Sequence, residues 1–284
     1  GTVVVAHSTV EHTTEACVVA EDVQQLQLTD NVLRFACKSG IEVSGTPAIT
    51  LHDNAIEHCR NHGICLFHLA EKVPVAMHAS VTHNKIQHSG FSGIFAAPGI
   101  QVEILHNQIY ASKIAAVELG GTCHSLLPSA TVKPSHVAYN TMTCCNVGVS
   151  SLGAQFRLYT NLLLRNNMGV KLSGRSRAVL VANFCDAVGA PPVGGAVGCL
   201  ESSMMLCEAN ELFARNGAAA VYVGDESRGA LVHRNFVCSD VAGIVVYNNS
   251  NAMVTENFVS NARRAVELQN PDASGLIVAR NILR

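Results

Sequence analysis

Tryptophan is absent, and all aromatic residues together make up 5% of the 284 residues. A sugar-binding groove usually needs flat rings for stacking, so that scarcity counts against one. It also removes the Trp-Asp signature of propeller blades. Charge is scarce too. Asp, Glu, Lys and Arg make up 14%, and 19 cations against 21 anions leave a net charge of −2 with no basic run. That excludes a nucleic-acid partner, whose phosphates need clustered cations. No apolar stretch approaches the ~18 residues that suggest a membrane span. The eleven cysteines are an odd number, scattered singly apart from Cys144-Cys145 and never spaced CxxC. Neither a disulfide framework nor a zinc site is indicated. Free thiols used as small apolar residues suit a reducing compartment, so the expected location is intracellular, cytoplasmic or cytoskeletal.

What the chain does have is apolar material, 48% of its residues, enough for a long core and too much for a disordered chain. It also repeats. Asn54-Ala55-Ile56 leads to Gly63-Ile64-Cys65-Leu66, and Asn84-Lys85-Ile86 to Gly93-Ile94-Phe95-Ala96. Asn161-Leu162-Leu163 leads likewise to Gly169-Val170-Lys171-Leu172, and Asn235-Phe236-Val237 to Gly243-Ile244-Val245-Val246. The anchors are Asn31, Asn54, Asn84, Asn107, Asn140, Asn161, Asn183, Asn210, Asn235, Asn257 and Asn281, separated by 21 to 33 residues. Within a unit the apolar residues alternate, as in Val102-Glu103-Ile104, which is the signature of short strands with one buried face. Helical periodicity is nowhere sustained, and the Leu-x-x-Leu-x-Leu frame of a leucine-rich horseshoe is missing.

A gap near 22 residues holding two or three strands is one coil of a solenoid. The expected fold is therefore all-β, a right-handed parallel β-helix of about 11–12 coils forming a single domain over 1–284. An Asn side chain supplies both donor and acceptors to a buried turn, and stacked asparagines can bond along the axis as a ladder. Glycine before the strand permits either a positive φ or close approach of the next coil. Both chain ends fall inside the pattern, so a longer chain or a capping partner is expected to cover them.

Three units are longer than the rest. The first loop, Phe67 to Pro74, carries His68, Glu71 and Lys72; the second, Gly120 to Pro134, carries Cys123, His124 and Lys133; the third, Asp186 to Gly198, lies on a different edge. The first two leave the same corner two coils apart and are expected to flank a groove about 10 Å wide. His68, Glu71, Lys72 and Cys123 are its candidate binding residues. Glu103, Glu118, His78, His124 and Lys133 bracket it and form the candidate set for acid and base chemistry on a sugar polymer. Solvated strand faces account for the same carboxylates more simply. Of the thirteen histidines, His52, His83, His106 and His233 fall one or two residues before an anchor Asn. That position is expected to face outward in every coil. His83 and His106, in adjacent coils, are in stacking reach for a metal but lack a third ligand in their column, so no metal or cofactor is expected.

Repeats such as Asn84-Lys85-Ile86 and Gly243-Ile244-Val245-Val246 resemble those of the pectate-lyase-like superfamily of right-handed β-helices. They look most like the short repeats shared by periplasmic NosD-like proteins, many carbohydrate-active enzymes and certain eukaryotic F-box proteins. The resemblance covers nearly the whole chain and implies fold far more than function. It also implies absences: the Asn-Thr-Asp, Gly-His-Gly and Arg-Ile-Lys motifs of polygalacturonase-like hydrolases are missing, and Asn270-Pro271-Asp272 fails the Asp-Pro-x-x-His motif of alginate epimerases. The leading expectation is thus a non-catalytic interaction or scaffold module that binds other proteins. The alternative is a polysaccharide lyase, epimerase or hydrolase working in the groove.

Overall fold

The computed structural model describes residues 1–69, 76–120, 133–189, 195–247, 250–269 and 275–284. Two compact units, Gly1–Asn146 and Val147–Arg284, each have their own strands and core. Among the described residues there is no helix; the chain is all-β, every pairing is parallel, and it makes about 11 turns.

In the first unit each coil contributes up to three strands, one to each of three sheets. A representative coil runs through His78–Thr82 in the first sheet, Lys85–Gln87 in the second and Ile94–Ala96 in the third. The anchor Asn forms the turn between the first sheet and the second. Registers are strict. Ala79 and Val81 stand beside Val102 and Ile104, Ile56 beside Ile86 and Ile86 beside Ile109, and Ile64 beside Ile94 and Ile94 beside Val117. These residues are at most 1% exposed. Each inward aliphatic side chain contributes about 1.5–3 kcal/mol by leaving water. The second unit repeats the design, with Arg177–Val181, Phe184–Ala187 and Gly195–Cys199 as one coil.

The asparagine ladder forms as the repeat predicts. Asn84 and its neighbour show one rung: the backbone N–H and Nδ2 of Asn84 both donate to Oδ1 of Asn107, at 2.9 and 3.1 Å. Nδ2 of Asn84 also donates to the Leu51 and Thr82 carbonyls, at 2.9 and 3.1 Å. In the second unit the same contacts link Asn183 to Asn210, Asn210 to Asn235 and Asn235 to Asn257. A carboxamide has two N–H donors and an acceptor oxygen, so one side chain can accept from one coil and donate to others.

The glycines before the third-sheet strands serve close approach rather than a left-handed backbone. A Cβ on Gly63 would stand 2.5 Å from Ile86 Cγ2 and 2.6 Å from the Gly93 carbonyl oxygen. The left-handed conformation falls instead on the residue before each anchor Asn: Asp30, Asp53, His83, His106 and Tyr139 in the first unit, and Thr160, Ala182, Ala209, Arg234, Glu256 and Arg280 in the second. Non-glycine residues at positive φ are uncommon and cost of order 1–3 kcal/mol. Coil stacking offsets this by satisfying the turn's amides: the N–H of Asp53 donates to Thr82 and that of His83 to Leu105, at 3.2 and 3.1 Å. A second left-handed column follows the second sheet, at His12, Phe35, His58, His88, Ala111 and Cys144. In the first unit, rings at successive positions stack, His83 on His106 in one column and His12, Phe35, His58 and His88 in the other.

Candidate metal centre

The first column holds the densest group of potential ligands. His52 ends the strand Ala48–His52, and Thr82 stands beside it in register at the end of the next coil's strand. Asp53 and His83 follow them in the left-handed position. Nδ1 of His52 shares a hydrogen bond with the Thr82 hydroxyl at 2.8 Å, which turns Nε2 toward Oδ2 of Asp53, also at 2.8 Å. His83 meets His52 edge-on, with ring centroids 5.1 Å apart and planes at 74°. One ligand atom from each of His52, Asp53 and His83 lies within 4.8 Å of the others.

His83 also stacks on His106, at 4.9 Å and 16°, and His106 on Tyr139, at 5.0 Å and 7°. The expected contact between His83 and His106 is therefore present, but it is not a chelate. The lone pairs of an imidazole lie in the ring plane, so two parallel rings aim them side by side, whereas inclined rings can converge on one point. The third ligand that the column was expected to lack comes from Asp53, and the second imidazole from His52. His106 and Tyr139 buttress the His83 ring.

Donor chemistry fits a divalent first-row ion. Imidazole suits copper and zinc, and a carboxylate adds charge. A separation of 2.8 Å is also the edge spanned by two ligands at a right angle, each about 2.0 Å from one ion. Among the described residues, Asp53 has no Lys or Arg partner. The second unit supplies the contrast at the same repeat positions. There His233 shares a hydrogen bond with Thr255 at 3.0 Å, as His52 does with Thr82. The next positions are Arg234, Glu256 and Arg280. Arg234 Nε donates to Glu256 at 2.9 Å, and Arg280 lies 3.7 Å from its other oxygen. The Arg234 hydrogen bond heads the causes that hold the Glu256 carboxyl below its usual range. Guanidinium groups neutralise the carboxylate there, whereas Asp53 has no such partner among the described residues.

Of the residues expected to form the groove, the described ones that lie on strands are divided between two sheets. His78 and Glu103 share the outward side of adjacent first-sheet strands, with Glu103 beside Ser80 and His136. Glu118 belongs to the third sheet, on Ala115–Gly120. Its Oε2 accepts from the Ser92 hydroxyl at 2.5 Å. The Ser92 N–H donates to Nδ1 of His62 at 3.3 Å, and burial pushes the His62 imidazole down from its usual range. Lys133 is exposed just before the strand Ser135–Ala138. His68 is half-buried, with Nε2 lacking a hydrogen-bond partner and burial lowering its basicity. Among the described residues, no hydrogen bond or ion pair joins His78, Glu103, Glu118 and Lys133. Glu71, Lys72, Cys123 and His124 lie outside the described residues.

The model of one protein family, described as periplasmic copper-binding protein (NosD), matches residues 2–183. The chain belongs to the NosD family. Every histidine except His233 lies inside that matched stretch, the candidate centre included. No curated protein and no solved structure matches the chain. No helix among the described residues is long and apolar enough to cross a membrane.

The family's periplasmic description overturns the expected intracellular, cytoplasmic or cytoskeletal setting. The ten described cysteines are free thiols, as expected, but their freedom reports packing rather than compartment. Cys59, Cys145, Cys185, Cys199 and Cys207 are buried, and burial pushes the Cys59 and Cys207 thiols up to about 12. A neutral, inaccessible thiol reacts slowly whatever the redox poise outside.

Proposed function

We propose that this NosD-family chain is a periplasmic, non-catalytic β-helix that carries copper as cargo, held by His52, Asp53 and His83 on the outer edge of its first unit. One observation carries the proposal: three donors converge within 4.8 Å, and among the described residues no Lys or Arg pairs with the carboxylate. Thr82 orients His52, and the His106–Tyr139 stack orients His83, so the ligands are preorganised by their neighbours. The Asp53 side chain is 46% exposed, which suits an ion that is taken up and passed on more than one locked permanently inside. Partner proteins then dock at this edge to exchange the ion. The polysaccharide reading gains no comparable support, since Glu103 and Glu118 stand in different sheets.

Calorimetric titration of the purified chain with a Cu(II) salt tests the proposal. One equivalent is expected to bind, and His83→Asn and Asp53→Asn are each expected to weaken binding severely with unchanged circular dichroism. His106→Asn, which removes a stacked ring rather than a ligand, is expected to retain the full stoichiometry. Absence of binding, or binding indifferent to both ligand changes, would refute it.

A further inference from the structure

Resting on that copper reading, we infer that the site selects the oxidation state of its ion, holding copper as Cu(II) and not as Cu(I). The donor set is two imidazole nitrogens and one carboxylate oxygen, borderline and hard ligands that suit the cupric ion, whereas Cu(I) is selected by thiolate and thioether sulfur. Sulfur is present in the surrounding coils but is directed elsewhere. Cys59, in the turn that follows the strand Ala55–Glu57, is 3% exposed, and burial drives its thiol up to about 12. Cys65 is likewise driven up to about 12 by burial, with Glu42 and Glu118 adding to the effect. Neither joins the donor group. Met77, immediately before the strand that carries Thr82, is 2% exposed and belongs to the core.

Charge pushes the same way. Asp53 is paired only with His52 among the described residues, so its negative charge attracts a dication twice as strongly as a monocation at the same distance. Orientation adds to this. The Thr82 hydroxyl holds Nδ1 of His52 at 2.8 Å and keeps Nε2 against the carboxylate. The two imidazoles are inclined at 74°, and the His83 ring is pinned on its far side by His106. A cuprous ion with nitrogen donors alone prefers two imidazoles opposed in line, and rings 5.1 Å apart and inclined at 74° do not stand in that arrangement.

The test loads the intact chain separately with each oxidation state under anaerobic conditions. Cu(II) is titrated against nitrilotriacetate and Cu(I) against bicinchoninate. Electron paramagnetic resonance of the cupric sample reports the ligands directly. The expected result is one Cu(II) with hyperfine splitting from two nitrogens, and Cu(I) affinity on the order of 100-fold or more weaker. Asp53→Cys, which places a sulfur donor in the same left-handed position, is expected to narrow or reverse that preference. Cu(I) held as firmly as Cu(II) would overturn the selectivity while leaving the copper site standing. Failure to bind either state would overturn the copper site itself, and the selectivity with it.

Discussion

Replacing Asn107 by Ala tests whether the ladder holds the turns together. Asn107 is 1% exposed. Its Nδ2 donates to Val81, Leu105 and Asn140 Oδ1, at 2.8, 3.1 and 3.0 Å. Its Oδ1 accepts from the Asn84 backbone and side chain, at 2.9 and 3.1 Å. Truncation leaves the Asn84 N–H without its acceptor in a place water cannot reach, which alone costs about 1–3 kcal/mol. The remaining bonds are worth about 1 kcal/mol each at most, because the Val81 and Leu105 carbonyls retain a second lone pair. Together the loss is roughly 3–5 kcal/mol, at the severe end for a single substitution. Gln108→Ala, one residue away but on the exposed outer side, is the control and is expected to stay within about 0.5 kcal/mol. Urea unfolding followed by far-ultraviolet circular dichroism gives the global change. Hydrogen exchange at the Asn84 amide gives the local one, which matters because solenoids can open in parts. A cost for Asn107→Ala within about 1 kcal/mol of the control would refute the ladder's role.

Two further outcomes follow from the same structure. The combination Arg234→Asp, Glu256→His and Arg280→Ala reproduces in the second unit the side chains that surround His52 and Thr82. Since His233 and Thr255 are already in place, a second equivalent of Cu(II) is expected by calorimetry; unchanged stoichiometry would show that the backbone column does not define the site. The thiols should divide sharply in a labelling reaction at pH 8. Cys37 and Cys144 are exposed and react in the folded protein, while Cys59, Cys185, Cys199 and Cys207 wait for denaturant. Burial raises the folded-state values, Cys59 from 9.0 to about 12, so the folded chain holds protons that the unfolded chain releases. Stability is therefore fully present below about pH 9 and falls as pH rises from there toward 12, which urea midpoints at pH 8 and pH 10 will show.

Much of the fold was legible in the sequence because the turn and the strand make separate demands. A carboxamide supplies the donors and the acceptor that the buried turn needs, and only a very small residue fits where Gly63 meets the Gly93 carbonyl, so both leave a periodic trace. The location was misread because a buried thiol such as Cys207 is selected for size, which carries no mark of the compartment. The candidate centre was half visible. His83 and His106 drew notice because they share a residue type, but like residues in one column stack, and chelation required unlike neighbours. Aligning the chain on Asn54 and Asn84 places His52 over Thr82 and Asp53 over His83, so the signal was there at an offset of 30 residues. What no alignment supplies is the 74° tilt between rings, which depends on the rotamers that Thr82 and His106 impose.

The left-handed residue before each asparagine has a consequence for how such a protein changes over time. Its backbone is fixed by the coils on either side, so Asp53, His83, Tyr139, Ala182 and Arg280 all occupy one conformation with unrelated side chains. Selection can therefore rewrite the chemistry of that edge one coil at a time without solving the folding problem again. The two units illustrate the range: imidazoles and a carboxylate around Asp53, a self-neutralised cluster around Glu256. Descent is recorded in the asparagines; the trade a given chain plies is recorded one residue earlier.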